Sequence, residues 1–110
     1  MDLLKTYRDE KASHNLIELP DDFFDQARVE LDRLNGPIET EIESVLMQQE
    51  LKSSIRALNA LSDLRINKVL KGAIADAYRK TPEHALDKML PREKKLYQAV
   101  VDEIKEVKAA

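Results

Sequence analysis

The sequence predicts an all-α fold, a helical bundle of about five helices around one long central helix. Three observations predict it. From Ile38 to Thr81 the chain runs 44 residues without a proline and with a single glycine, Gly72, while apolar residues recur every third or fourth place. The 110 residues include only two glycines and four prolines, which leaves little material for tight turns. Ala, Leu, Lys, Glu, Asp and Arg dominate the composition and only 5% of residues are aromatic, a balance that favours helix over sheet.

The first helix is expected over Asp2–Lys11, with Leu3, Leu4 and Tyr7 on one face and Ser13-His14-Asn15 ending it. Leu16 to Leu19 then form a short extended connector that tucks Leu16, Ile17 or Leu19 into the core. The second helix is expected to start at Pro20 or Asp21, because proline suits a position whose N–H would be unsatisfied anyway. Asp21 and Asp22 then meet the positive end of the helix dipole. Phe23, Phe24, Ala27, Leu31 and Leu34 recur at helical spacing, and Asn35-Gly36 reads as a left-handed cap before Pro37.

The third segment is the long one. As one straight helix it would span roughly 65 Å, against a radius of gyration of about 13 Å for a compact domain of this size. Either it bends, with Ser53-Ser54 and Gly72 the candidate points, or it packs on something outside the chain. Its first part carries a narrow stripe, Ile38, Ile42, Val45 and Leu46, and with Leu51 this is the candidate subunit interface. From Leu51 to Ala77 apolar residues cover well over half the circumference, so this part is expected to be buried most of the way round as the central helix. Thr81-Pro82-Glu83 reads as the start of a short fourth helix ending at Leu90-Pro91. The fifth follows, with Leu96, Val100, Ile104 and Val107 on one stripe and Tyr97 and Val101 beside it. Leu19-Pro20-Asp21-Asp22 and Leu90-Pro91-Arg92-Glu93 echo each other: each reads Leu-Pro, then an acid at the third helical position.

The chain reads as one domain, residues 1–110, without repeats of about 20–50 residues. It has no cysteine, which excludes disulfides and thiolate metal sites and suits a reducing, intracellular setting. No apolar run approaches the roughly 20 residues that cross a bilayer, so no membrane partner is expected, and the N-terminus lacks the order of a signal peptide. The formal net charge of −3 is unevenly spread, with −7 on residues 1–55 and +4 on residues 56–110. The halves either attract each other or the basic half faces an acidic partner or nucleic acid. No aromatic residues are interleaved with the basic ones, which argues against a stacking platform for single strands.

No constellation for chemistry stands out, and neither enzyme activity nor a cofactor is expected. His14 and His84 are 70 residues apart, and neither has a second ligand at metal-binding spacing. Glu39, Glu41 and Glu43 alternate and scatter around a helix axis. Asp21, Asp22 and Asp25 suit a helix start, and Gly36 and Gly72 stand alone, so no phosphate loop exists. Arg65 is the charged residue that matters most. It projects near the edge of the apolar arc, about 20° from Asp76. Such a charge must snorkel outward or be paired; Glu93 and Asp22 are the expected partners. The alternative, a phosphate contact by Arg65, Lys68, Lys71 and Arg79, is weaker because Lys71 turns away from the others.

Three separated pieces carry a family resemblance. They are Leu19-Pro20-Asp21-Asp22-Phe23-Phe24, Leu61-Ser62-Asp63-Leu64-Arg65-Ile66-Asn67-Lys68-Val69, and Met89-Leu90-Pro91-Arg92-Glu93-Lys94-Lys95-Leu96-Tyr97. In order and spacing they resemble the helical A domain of GINS replication factors, with Phe24 in place of the usual tyrosine. The resemblance makes Leu19, Pro20, Phe23, Phe24, Arg65, Lys68, Glu93, Leu96 and Tyr97 the signature residues. It implies a non-catalytic subunit of a four-subunit, ring-like complex, present as a dimer or tetramer of homologous subunits in an archaeal-type cytoplasm or a eukaryotic nucleus. Implied partners are the MCM replicative helicase, a RecJ-like or Cdc-type protein, primase and polymerase. The match is to the class with the A domain first. The sequence ends at Ala110, where that class continues into a linker and a β-rich B domain, so a chain without the B domain is expected. The competing readings are a helical nucleic-acid-binding domain and a generic helical adaptor.

Overall fold

A computed structural model describes residues 1–35, 41–79 and 86–109 of the chain. Among them are four helices and no strand: α1 (Leu3–Ala12), α2 (Phe23–Leu34), α3 (Glu41–Ala77) and α4 (Pro91–Ala109). α1, α2 and α4 each pack on α3, which is therefore the central helix. None of the described helices is long and apolar enough to cross a membrane.

Each boundary has a local cause. Asp2 caps α1, its carboxylate accepting from the Lys5 N–H at 3.0 Å. Ser13 closes α1 by donating its N–H to the Asp9 and Glu10 carbonyls. α2 begins later than the sequence suggests. Pro20 accepts from the Phe23 N–H in a turn, and the Asp22 carboxylate is taken by the Gln26 side chain at 2.8 Å. Pro20 and Asp21 thus lie outside the helix, and Asp22 is its N-cap. Asn35 ends α2 with φ −92° and ψ 16°, so it is not in the left-handed region; Gly36 lies outside the described residues.

α3 is continuous for 37 residues, through both Ser53-Ser54 and Gly72. The expected fourth helix is not present in its described part. Leu86–Met89 form a turn, with the Met89 N–H on the Leu86 carbonyl, and Thr81–Glu83 lie outside the described residues. The next helix, α4, starts at Pro91 as expected for the last one.

Two apolar clusters sit along α3. Near its middle, Leu3 from α1 and Phe23 and Ala27 from α2 close over Ala57 and Leu61, with Leu19 packed alongside. Near its C-terminal end, Leu16, Met89, Tyr97 and Val101 close over Val69, Ala73 and Ala77. The connector thus serves both clusters, with Leu16 in one and Leu19 against the other. The buried positions Ala57, Leu61, Arg65, Val69, Ala73 and Ala77 recur every four residues, the spacing that keeps side chains on one helical stripe.

Beyond that stripe α3 is open. Ile55, Ile66 and Ile74 are exposed, so burial most of the way round is not achieved within one chain. The molecule is a rod of 62 × 26 × 18 Å with a radius of gyration of 17.8 Å. The start of α1 lies beside Glu50, Ser53 and Ser54. The first turns of α3, from Glu41 to Gln49, therefore run past α1 as an arm.

Candidate functional site

Leu61 and Val69 are core residues, yet Arg65, one turn from each, is 0% exposed. A buried guanidinium is tolerated only if its charge is balanced and its donors are used. Both conditions are met. Nε donates to Glu93 Oε2 and Nη2 to Glu93 Oε1, both at 2.8 Å, a two-pronged pairing. Nη1 donates to Glu10 Oε1 at 2.6 Å and to the Ile17 carbonyl at 2.9 Å. Nη2 also donates to the Lys88 carbonyl at 3.1 Å. Those are all five donors that an arginine has.

Lys68, one turn before the Gly72 backbone, completes the cluster. Its Nζ donates to Glu10 Oε2 and the Glu10 carbonyl, both at 2.6 Å, and to the Ser13 and Asn15 carbonyls at 2.9 and 3.0 Å. The ammonium therefore sits on the C-terminal carbonyls of α1, where the helix dipole favours a cation. Glu10, also 0% exposed, is shared: its Oε2 additionally accepts from the Ile17 N–H. Two cations face two carboxylates, so the cluster is neutral. Burial works against the charged form of Arg65, but Glu93 and then Glu10 overcome it, and its pKa rises above the ordinary arginine value.

Glu93 has a second task. At the third position of α4, its Oε1 accepts from the N–H of Leu90 at 2.8 Å, which secures the helix start. This is what the Leu-Pro-x-Glu spacing achieves. Its echo at Leu19-Pro20 does not act the same way, because α2 starts only at Phe23. Further along, Tyr97 Oη donates to Asp76 Oδ2 at 2.7 Å. Burial, and next the neighbouring Asp76 carboxylate, push the Tyr97 hydroxyl up to about 12.

The expected residues divide into three groups. Arg65, Lys68 and Glu93 meet in the ion cluster; Glu93 is a partner of Arg65, while the place given to Asp22 is taken by Glu10. Phe23 and Tyr97 are buried, Leu19, Phe24 and Leu96 half-buried, and Pro20 exposed. On the arm, Ile42, Val45 and Leu46 are 74%, 55% and 59% exposed, whereas Leu51 is half-buried and Ile38 lies outside the described residues. With all its N–H groups engaged inside the fold, Arg65 has none for phosphate, which removes it from the phosphate-contact alternative. His14 is exposed, and His84 lies outside the described residues.

Glu10 is the member that sequence reasoning missed. Its signal was present: it falls three residues after Tyr7 and seven after Leu3, so it lies on the apolar face of α1. A carboxylate on that face needs a buried cation.

A shallow groove of about 510 Å³ separates α2 from the start of α4. Phe24, Ile66 and Leu96 line it, and Arg28 and Arg92 reach its rim. Compared with known protein families, curated proteins and solved structures, the chain matches none of them.

Proposed function

We propose that the chain is a non-catalytic helical subunit that assembles with homologous subunits, in the manner of GINS A domains, and supports an MCM-type replicative helicase at the fork. The observation that carries the reading is the convergence of the three resembling segments. Arg65 and Lys68 of the second segment and Glu93 of the third meet in one ion cluster. Phe23 of the first packs in the same apolar cluster as Leu61 of the second. Residues that share only a sequence pattern need not meet; these serve one architecture. The exposed stripe on the arm supports the assembly half of the reading, since three large apolar side chains lie in water on one protruding helix.

The test is co-purification of the full chain with an archaeal-type MCM helicase and homologous subunits, followed by unwinding of forked DNA. Stimulation that is lost on Leu46→Asp supports the reading. No association and no effect on unwinding would refute it. A second reading, nucleic-acid binding, is favoured by the exposed Arg92, Lys94 and Lys95 at the start of α4. It requires affinity that falls steeply with salt and weakens when Arg79 and Lys80 are changed to alanine.

A further inference from the structure

We infer that the arm of α3 pairs with the same arm of a second copy, antiparallel, about a two-fold axis at Gln49. This rests on the reading that the arm is an assembly surface, and it names the occupant and the register. Ile42, Val45, Leu46 and Gln49 follow the i, i+3, i+4, i+7 spacing of one helical stripe, and the arm has no cover from its own chain. Charge selects the orientation. Glu41 stands at the tip of the arm, and Lys52 and Arg56 stand at its inner end; all three are exposed. An antiparallel pair sets the tip acid of one copy against the inner bases of the other. A parallel pair would set like on like and would drive the two bundles, both at the inner end, into each other.

The surface also provides a receiving shape. The small side chains of Ser53 and Ser54 leave a hollow of about 270 Å³ where α1 begins, bordered by Met1 and Leu4. Met1 and Leu4 are themselves exposed apolar residues. With the axis at Gln49, Val45 of the second copy falls opposite Ser53, and Ile42 falls opposite Arg56. The hollow accepts the valine, and the arginine stem lies over the isoleucine while its head reaches Glu41. Gln49 pairs with itself at the centre, and a single polar pair within an apolar seam fixes register and partner number.

The chain has no cysteine, so single introduced cysteines report the geometry cleanly. The expected result is a dimer by light scattering, and Gln49→Cys that oxidises to a self-linked dimer. Ile42→Cys should link to Arg56→Cys when the two are mixed, but not to itself. Ser53→Phe, at an exposed site, should fill the hollow and weaken dimerisation while leaving the helical spectrum unchanged. Glu41→Lys should weaken it about tenfold, and Glu41→Lys combined with Lys52→Glu and Arg56→Glu should restore it. A monomer at the highest soluble concentration, or self-linking at position 42, would overturn the inference. A monomer that loses helicase association on Leu46→Asp would leave the assembly reading standing; one unaffected by that change would remove both.

Discussion

Glu93→Gln is the most informative single change. Glutamine keeps the shape and keeps an oxygen for the Leu90 N–H, so the start of α4 survives. What is lost is one of the two carboxylates that neutralise Arg65 and Lys68. Arg65 is wholly buried and draws two of its bonds, each 2.8 Å long, from Glu93. Removing one partner of a buried ion pair costs about 3–5 kcal/mol, because the remaining charge stays out of water. A chain of this size has a total stability of roughly 5–15 kcal/mol, so the loss is a large share of the whole. The assay is urea unfolding followed by far-ultraviolet circular dichroism. The midpoint should fall sharply while the slope stays constant, since the surface exposed on unfolding does not change. Glu30→Gln is the control. It breaks the exposed pair with Arg33, which lies within one helix, and should leave the midpoint nearly unmoved. Equal midpoints for Glu93→Gln and the wild-type chain would refute the claim that the cluster organises the fold.

Three further predictions test other parts of the structure. Tyr97 keeps its proton in the folded state up to about 12, above the ordinary tyrosine value of 10.0. Its contribution is therefore complete below the unfolded pKa and is lost as pH rises through the folded one. The stability difference between wild type and Tyr97→Phe should shrink by on the order of 2 kcal/mol between roughly pH 10 and pH 12, and a difference constant over that window would contradict the assignment. Leu61→Ala empties a fully buried position and should cost about 2–5 kcal/mol, whereas Val29→Ala, exposed on α2, should fall within about 0.5 kcal/mol of wild type. Gly72→Ala is a test of sign. Helix propensity alone would make it stabilising by about 1 kcal/mol, but Gly72 is buried, so an added methyl should lower the melting temperature; a raised one would mean that the site has spare room.

The helical architecture was legible because it rests on local properties. The long α3, the last helix at Pro91 and the connector with its inward Leu16 follow from spacing, proline position and the scarcity of glycine. Arg65 was legible as a residue needing a partner, and Glu93 as one such partner, because a charge on an apolar face has few solutions. The rest depended on tertiary context. Glu10 is 55 residues from Arg65, and no periodicity on α3 points to α1. The start of α2 moved to Phe23 because the Asp22 carboxylate bonds to Gln26, a local competition that residue preferences do not resolve. Ile55, Ile66 and Ile74 looked like core from their hydropathy alone, but one chain of this size has only three other described helices with which to cover α3.

The four-residue repeat along α3 has a consequence for alignment. Leu61, Val69, Ala73 and Ala77 are apolar steps about one helical turn apart, roughly 6 Å along the axis. A neighbour that slid by one step would still meet apolar side chains, so hydrophobic contact alone would tolerate several sliding positions. Arg65 interrupts that ladder at a single rung. In any slipped position Glu10 and Glu93 would face leucine or valine, and the guanidinium would face hydrocarbon, at a cost of several kcal/mol for each stranded ion. The ion cluster thus acts as a key in a slot: it indexes α1 and α4 to one place on α3, and with them the distance by which the arm projects.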